Sequence, residues 1–158
     1  MLERPLLTLE RIRVCKRDGQ LLADPEPVPE VDPAGLGVWQ KLMVYAGEEA
    51  QHHGHPLYVQ LARRLLQAGA AGTTALRGIW GYHGDHQPHG DQLLSLQRRV
   101  PVLTVVVDTP ARTRRWFGIV NELTDATGLV TCEMVPAFHA RSRSGALRLS
   151  TLSTDDGA

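Results

Sequence analysis

The sequence predicts an α+β sandwich, a βαββαβ fold in which a four-stranded antiparallel sheet carries two helices on one face, with an extra N-terminal strand. Three observations support this prediction. Apolar and β-branched residues fill four segments of strand length, at 39–46, 73–80, 102–107 and 129–135. Two segments with apolar residues at helical spacing divide them in the order strand, helix, strand, strand, helix, strand. Proline at each helix start and glycine after each helix mark the boundaries.

Composition narrows the class of protein. With 158 residues the chain is long enough for one domain with a real core. Lys plus Arg and Asp plus Glu number 17 each, so no nucleic-acid partner held by phosphate neutralisation is expected. No apolar run approaches the roughly 20 residues that span a bilayer, and the N-terminus lacks a signal-peptide core. Cys15 and Cys132 are too few for a disulfide framework. We therefore expect a cytoplasmic protein without direct membrane insertion.

The chain divides into four parts that differ in composition. A stretch with four prolines and four acids between Asp24 and Pro33 separates an apolar N-terminal segment from the main domain. A segment rich in Ser, Thr, Gly and Asp ends the chain. The predicted parts are an orphan strand within 1–14, a Pro/acidic linker at 15–37, the main domain at 38–139 and a disordered tail at 140–158.

The predicted N-terminal strand, Leu6–Val14, repeats a later one. Its Leu-x-Thr-x-Glu frame returns in the segment 128–137, so it resembles the last strand of a preceding copy of the same domain. A lone apolar strand leaves its backbone groups and side chains without partners. The linker is long enough to reach an edge of its own subunit or of a neighbour. We expect the strand to pair with a sheet edge, either 73–80 or 129–135, and to cross to another subunit.

The main domain opens with a strand at Trp39–Ala46 and continues into the first helix. Pro56 suits the first helical position, and Gly69 is the expected stop, so the helix ends near Ala68. Its expected buried stripe is Leu57, Leu61, Leu65 and Ala68.

The second helix lies between the third and fourth strands of the domain. Asp108 or Thr109 is expected to cap it, Pro110 to start it and Gly128 to end it. Apolar residues recur within it at i, i+3, i+4 and i+7, as Trp116, Ile119, Val120 and Leu123. With right-handed crossovers, this order of elements closes as a ferredoxin-like sandwich.

The strand Val102–Val107 (VLTVVV) is nearly continuous in apolar residues, which is typical of a strand covered on both faces. Two helices can cover only one of these faces. We expect another subunit to cover the second face, so the sequence predicts a closed oligomer.

Strand order also places the loops. The loops at 47–55 and 81–92 leave the same end of the predicted sheet, and the turn at 126–128 reaches that end too. Six of the seven histidines lie in the two loops, namely His52, His53, His55, His83, His86 and His89. The sequence therefore predicts one functional pole.

Three local motifs resemble a known family. They are Gly54–Tyr58 (GHPLY) at the first helix start, Ala71–Ile79 (AGTTALRGI) in the second strand, and Leu94–Val102 (LSLQRRVPV) before the third. Together with the residues around them, they resemble the PII-like group known as domain of unknown function 190. The similarity extends over about residues 41–136.

This resemblance implies a fold like that of PII signalling proteins, usually trimers with a mobile loop after the second strand. The base of that loop helps to bind nucleotide between subunits, and PII proteins regulate partners such as membrane transporters or channels. The turn Asp125–Gly128 replaces a longer, glycine-rich basic loop and contains neither Lys nor Arg. The ligand-binding residues implied here are Gly47, Arg77, Gly78, Gly81, Tyr82, His83 and His89.

Metal binding is an alternative function. The spacing His83-x-x-His86-x-x-His89 offers neutral imidazoles, which suit zinc, copper or nickel. A third interpretation is a structural half of a tandem protein without a ligand of its own. No Ser-His-Asp pattern, phosphate-binding Gly-Lys-Ser/Thr motif or paired catalytic carboxylate stands out, so no enzyme activity is expected.

Individual charged residues have two interpretations each. Arg77 is suited to a phosphate or carboxylate, or to a salt bridge between subunits. Glu48 and Glu49 are expected to form a solvated acidic turn. Cys132 is expected in the core rather than as a nucleophile.

Overall fold

The computed structural model describes residues 12–25, 39–81, 89–90, 100–135, 138–140 and 147–149. Two helices and a mainly antiparallel sheet give an α+β fold. The elements are β1 (Arg13–Arg17), β2 (Gln20–Leu21), β3 (Trp39–Gly47), β4 (Gln51–His52), β5 (His55–Pro56), α1 (Leu57–Gln67), β6 (Thr74–Arg77), β7 (Trp80–Gly81), β8 (His89–Gly90), β9 (Pro101–Asp108), α2 (Pro110–Leu123), β10 (Leu129–Val135), β11 (Phe138–Ala140) and β12 (Leu147–Leu149).

The main sheet has six strands, whereas the sequence predicted four and one added N-terminal strand. Its order is β2-β1-β10-β3-β9-β6, and all five neighbouring pairs are antiparallel. The inner run β10-β3-β9-β6 is consistent with a ferredoxin-like arrangement. The two additional strands extend the sheet at β10, because an open strand edge accepts another strand through backbone hydrogen bonds.

The core lies between the helices and one face of the sheet. In β3, Leu42 and Val44 are buried there, opposite Val106 and Thr104 of β9. The predicted stripe of α1 faces the core. Leu57, Leu61 and Leu65 are buried there, and Ala68 packs at the margin of the core. The buried residues of α2 are Thr113, Trp116, Phe117, Val120 and Leu123. Periodicity therefore identified the inward faces of both helices, although Phe117 is an addition and Ile119 is only partly buried.

Helix boundaries follow the expected capping residues with one exception. Pro56 precedes the first residue of α1, and Gly69 adopts φ +88° just after its end. Pro110 begins α2 after Thr109. This helix ends at Leu123, however, well before Gly128, because the Thr124 hydroxyl donates to the Val120 carbonyl and closes the last turn.

The N-terminal strand lies later than the sequence predicted. We expected a strand at Leu6–Val14 and a linker from residue 15, whereas β1 spans Arg13–Arg17 and β2 follows within the predicted linker. Asp18 and Gly19 explain the difference, because both adopt positive φ and make the tight two-residue turn of a hairpin. Residues 1–11 lie outside the described residues.

The predicted second strand and tail also differ in detail. The segment 73–80 is divided: β6 ends at Arg77, and Trp80 and Gly81 pair instead with Gly90 and His89. Within the predicted disordered tail, Leu147–Leu149 forms a strand that pairs with Phe138–Ala140. Among the described residues, neither helix has the length and apolar character needed to cross a membrane.

Candidate functional site

Two strand ends meet at one end of the sheet. Gly47, the last residue of β3, lies opposite Pro101 at the start of β9, and Arg77, the last residue of β6, lies opposite Val102. The backbone continues these pairings beyond the strands. Glu48 N–H donates to the Val100 carbonyl at 2.9 Å, and Gly78 N–H donates to the Pro101 carbonyl at 2.7 Å. We call this end of the sheet, with the turn Thr124–Gly128 described below, the pole.

An ion pair joins the two strand ends at the pole. Arg77 Nε lies 3.0 Å from Glu48 Oε1, and Arg77 Nη2 donates to Glu48 Oε2 at 3.0 Å. This two-pronged geometry is the strong form of an arginine–carboxylate contact. Arg77 was expected to bind a phosphate or carboxylate or to form a salt bridge between subunits, and Glu48 was expected in a solvated acidic turn. In the single chain the two residues pair with each other, because β9 aligns the ends of β3 and β6.

Glycines let the backbone approach its neighbours closely at the pole. A Cβ at Gly78 would lie 2.9 Å from Pro101 Cγ and 3.1 Å from the Pro101 carbonyl oxygen. At Gly47, the Glu49 carboxylate packs over the position that a Cβ would occupy. A side chain at Gly78 would therefore push on the Pro101 ring and backbone, whereas one at Gly47 would meet the flexible end of the Glu49 side chain.

The turn Thr124–Gly128, hereafter the 124–128 turn, forms the third side of the pole. Gly128 adopts φ +94°, and a Cβ there would lie 2.9 Å from the Tyr45 carbonyl oxygen near the end of β3. Asp125 Oδ1 lies 3.8 Å from Nδ1 of His52, which belongs to the 47–55 loop. The structure thus brings this loop and the turn together at one end, as strand order predicted.

The histidines of the first loop differ in their surroundings. His52 is half-buried near Asp125, whereas His53 and His55 are exposed beside the tight turn at His53 and Gly54. The rings of His52 and His53 meet edge to face, 4.2 Å apart. His52 therefore lies beside the 124–128 turn.

The predicted residues of the second loop are only partly described. Gly81 and His89 pair through their backbones as the ends of β7 and β8. Tyr82, His83 and His86 lie outside the described residues, so the predicted His83/His86/His89 set lies largely outside them too. In the part of the chain that the structure describes, no three His, Cys, Asp or Glu side chains come together as a metal site.

Both cysteines are buried in the core, and no disulfide joins them. Burial raises the pKa of the Cys15 thiol to about 11, so this sulfur is protonated near neutral pH. Cys132 lies in the core, as expected from its strand position. These surroundings suit packing rather than nucleophilic chemistry.

Sequence reasoning missed a contact between the N-terminal hairpin and the pole. Asp18 N–H donates to the Gly128 carbonyl at 2.7 Å, and Lys16 Nζ donates to the Asn121 carbonyl at 2.7 Å in the last turn of α2. The signal available was the Asp-Gly dipeptide at 18–19, which is typical of a two-residue hairpin turn. This dipeptide lies within residues 15–37, which the sequence analysis interpreted as a linker.

A comparison with protein families identifies the domain that carries this pole. The family designated DUF190, described as Uncharacterized ACR, matches residues 39–137. The match begins with β3, ends just beyond β10, and contains Glu48, Arg77 and the 124–128 turn. The motifs at Gly54–Tyr58 and Ala71–Ile79 lie within it. Because the match covers more than half of the 158 residues, the chain belongs to the DUF190 family.

Proposed function

We propose that this protein is a PII-like regulatory or sensor module. It binds a small anionic ligand, such as a nucleotide, at the pole in clefts between subunits, and it signals through the loop at 81–92. The observation that carries the proposal is the Arg77–Glu48 pair, which holds a guanidinium at a point where two strand ends and a glycine-lined backbone meet. Guanidinium groups held in this way bind phosphate and carboxylate groups with two parallel hydrogen bonds.

The accessibility of Arg77 supports a ligand site. Its side chain is 36% exposed, while the Glu48 side chain is 24% exposed. An exposed ion pair contributes only about 0–1 kcal/mol to stability. A ligand anion can therefore take over the guanidinium from Glu48 with little loss of folding free energy.

Only a short stretch of backbone connects the proposed ligand site to the base of the loop at 81–92. Gly78 follows Arg77 directly and is tied to Pro101 by its N–H group. Two residues further on, Trp80 and Gly81 pair with Gly90 and His89, which brings the two ends of the loop together. A ligand that moves Arg77 or Gly78 would thus act on the base of the loop through two or three residues.

The apolar row on the face of the sheet away from the helices supports an assembly of subunits. Directly opposed residues in four neighbouring strands form an apolar row on the face away from the helices. The row consists of Leu76, Leu103, Tyr45 and Leu129. An apolar row across a sheet favours burial against another copy of the chain. We propose a homo-oligomer, by resemblance a trimer, located in the cytoplasm and acting on a partner protein rather than on a substrate.

Isothermal titration calorimetry tests the proposal. The wild-type protein is titrated with ATP, ADP, AMP and cyclic dinucleotides, and then with zinc and copper. We expect nucleotide binding that weakens about tenfold or more in Arg77→Gln, since a charge-assisted pair is lost. Arg63→Gln is the matched control, because Arg63 is exposed on α1.

Each other outcome selects a different function. Binding of metal alone would favour the histidine-rich loops as a metal site. Binding of neither class would favour a structural role in a tandem protein. Equal nucleotide affinity in Arg77→Gln and Arg63→Gln would remove Arg77 from the site.

A further inference from the structure

The hairpin of β1 and β2 precedes the family-matched region, yet it is built into the domain. A bulge between Val14 and Lys16 interrupts the pairing of β1 with β10. Two successive residues, Cys15 and Lys16, are consequently both buried, the lysine to 3% exposure. The Cys15 carbonyl, displaced by the bulge, accepts hydrogen bonds from Leu22 at 2.8 Å and Ala23 at 3.1 Å.

The buried Lys16 makes a hydrogen bond to the C-terminal end of α2. Its Nζ donates to the Asn121 carbonyl, one of the last carbonyls of the helix, which have no partner within the helix. A cation at this position also complements the negative end of the helix dipole. Burial lowers the pKa of Lys16, while the nearby Asp125 carboxylate acts in the opposite direction. Lys16 therefore joins the strand, the helix end and the turn that follows it.

The turn of the hairpin rests directly against the 124–128 turn. Asp18 N–H bonds the Gly128 carbonyl, and a Cβ at Gly19 would overlap the Asp125 carbonyl oxygen. Asp18 and Gly19 adopt φ 47° and 80°, which let the chain reverse within two residues at this close approach. The other side of the 124–128 turn faces Tyr45 and His52.

We propose that Lys16 and the Asp18–Gly19 turn are positioning residues of the pole. They hold the 124–128 turn against the end of β3 and so set the third side of the ligand site from outside the family-matched domain. Their effect on a ligand rests on the proposed function, whereas their effect on the turn does not. A change in the position of the hairpin would therefore move the 124–128 turn and alter the pole.

Hydrogen–deuterium exchange on the full-length chain tests this assignment. In Gly19→Ala, the added methyl group pushes on the Asp125 carbonyl. In Lys16→Met, the side chain keeps an unbranched apolar stem but loses the donor at its end. We expect the amides of Asp18 and Thr124, which donate to the Gly128 and Val120 carbonyls, to exchange at least about tenfold faster in both variants. Lys16→Arg restores a donor and is expected to return exchange toward the wild-type rate. The affinity for ATP is expected to fall in parallel.

Two controls separate positioning from general destabilisation. Gly69 has φ +88° with open space around it, so Gly69→Ala introduces the same backbone strain away from the pole. Lys41→Met removes a lysine that pairs with Glu133 in the middle of the sheet. Exchange of the Asp18 and Thr124 amides that is no faster in Gly19→Ala than in Gly69→Ala would overturn the proposal, even if Lys16→Met fails to fold. If wild-type protein binds neither ATP nor any other nucleotide of the calorimetric screen, the proposed function fails, and exchange still decides the role of the hairpin.

Discussion

Arg77 and Glu48 form a two-pronged ion pair between the ends of two strands that are not neighbours in the sheet, since β9 lies between β6 and β3. The pair closes one side of the pole. Both partners belong to one chain, so the pair forms without a second copy of the chain. Substitution of either partner therefore changes the pole of the single chain.

Glu48→Gln is expected to strengthen binding of the nucleotide that the calorimetric screen selects. The amide keeps the shape of the side chain but removes the negative charge that competes for Arg77. Because the pair is exposed, we expect an affinity gain of about fivefold, or ~1 kcal/mol, and a melting temperature close to wild type. Glu49→Gln is the matched control, since Glu49 is the neighbouring acid and is exposed. Equal gains in both variants would indicate a general charge effect rather than release of Arg77.

Gly78→Ala is expected to destabilise the pole. The new methyl group would meet the Pro101 ring at 2.9 Å, and the hydrogen bond from Gly78 to Pro101 holds the two segments at that distance. We expect a loss of about 1–3 kcal/mol in the free energy of unfolding, the usual range for overpacking. Weaker nucleotide binding should accompany it. Urea denaturation measures the first effect and calorimetry the second.

Gly72→Ala provides the comparison for that variant. At Gly72 no neighbouring atom lies within 4 Å of the position that a methyl group would take, so alanine has room there. We expect no loss of stability, and a gain of up to about 0.4–1 kcal/mol from the stiffer unfolded chain. If Gly78→Ala is as stable as Gly72→Ala, the close approach of Gly78 to Pro101 does not contribute to the stability of the fold.

The stability of the protein is expected to depend on Cys15 in alkaline solution. Burial raises the pKa of this thiol from 9.0 to about 11, so the folded state resists its ionisation. The stability associated with the protonated thiol is complete below pH 9 and decreases as the pH rises from 9 to about 11. A shift of this size corresponds to at most about 3 kcal/mol.

Denaturation of wild-type and Cys15→Ala proteins at several alkaline pH values checks this expectation. The variant should be less stable at neutral pH, because it leaves a small cavity, but its stability should fall less between pH 9 and about 11. Lys16 has a lowered pKa and acts in the opposite direction in both proteins, so their difference isolates the thiol. Parallel pH profiles would contradict the role of Cys15.

Periodicity predicted much of the fold but little of the pole. The spacing of Leu57, Leu61 and Leu65 identified the buried side of α1, because burial of an apolar stripe follows directly from helix geometry. The Arg77–Glu48 pair had no such signal, since the two residues lie 29 positions apart and charged side chains follow no period. Only the register of β6 and β3 on β9 brings them together.

The position of the N-terminal strand was unpredictable for a related reason. Its sequence pattern was found, but the bulge after Val14 and the turn at Asp18 and Gly19 set where pairing begins and ends. An edge strand pairs through its backbone, which places few demands on side chains. The apolar residues of a strand therefore indicate that it pairs, and leave its register to local turns and bulges.

The last prediction concerns the apolar row on the face of the sheet away from the helices. Leu76 lies opposite Leu103, Leu103 opposite Tyr45, and Tyr45 opposite Leu129, so the four side chains cross four strands on one face. Leu76 is 54% exposed in the single chain. We expect wild-type protein to form an oligomer, with a mass by light scattering that is a multiple of 17.4 kDa. In Leu76→Glu, a buried carboxylate would oppose assembly, and the mass should fall toward that of one chain.

Leu66→Glu is the matched control for this variant. Leu66 is 73% exposed on α1, on the opposite side of the sheet from the apolar row, so glutamate there meets solvent whether or not the chain assembles. Both substitutions replace an exposed leucine and should leave the secondary structure of the single chain intact. We therefore expect Leu66→Glu to assemble like wild type at micromolar concentration. A wild-type mass near 17.4 kDa, or equal masses for the two variants, would show that this face does not join subunits.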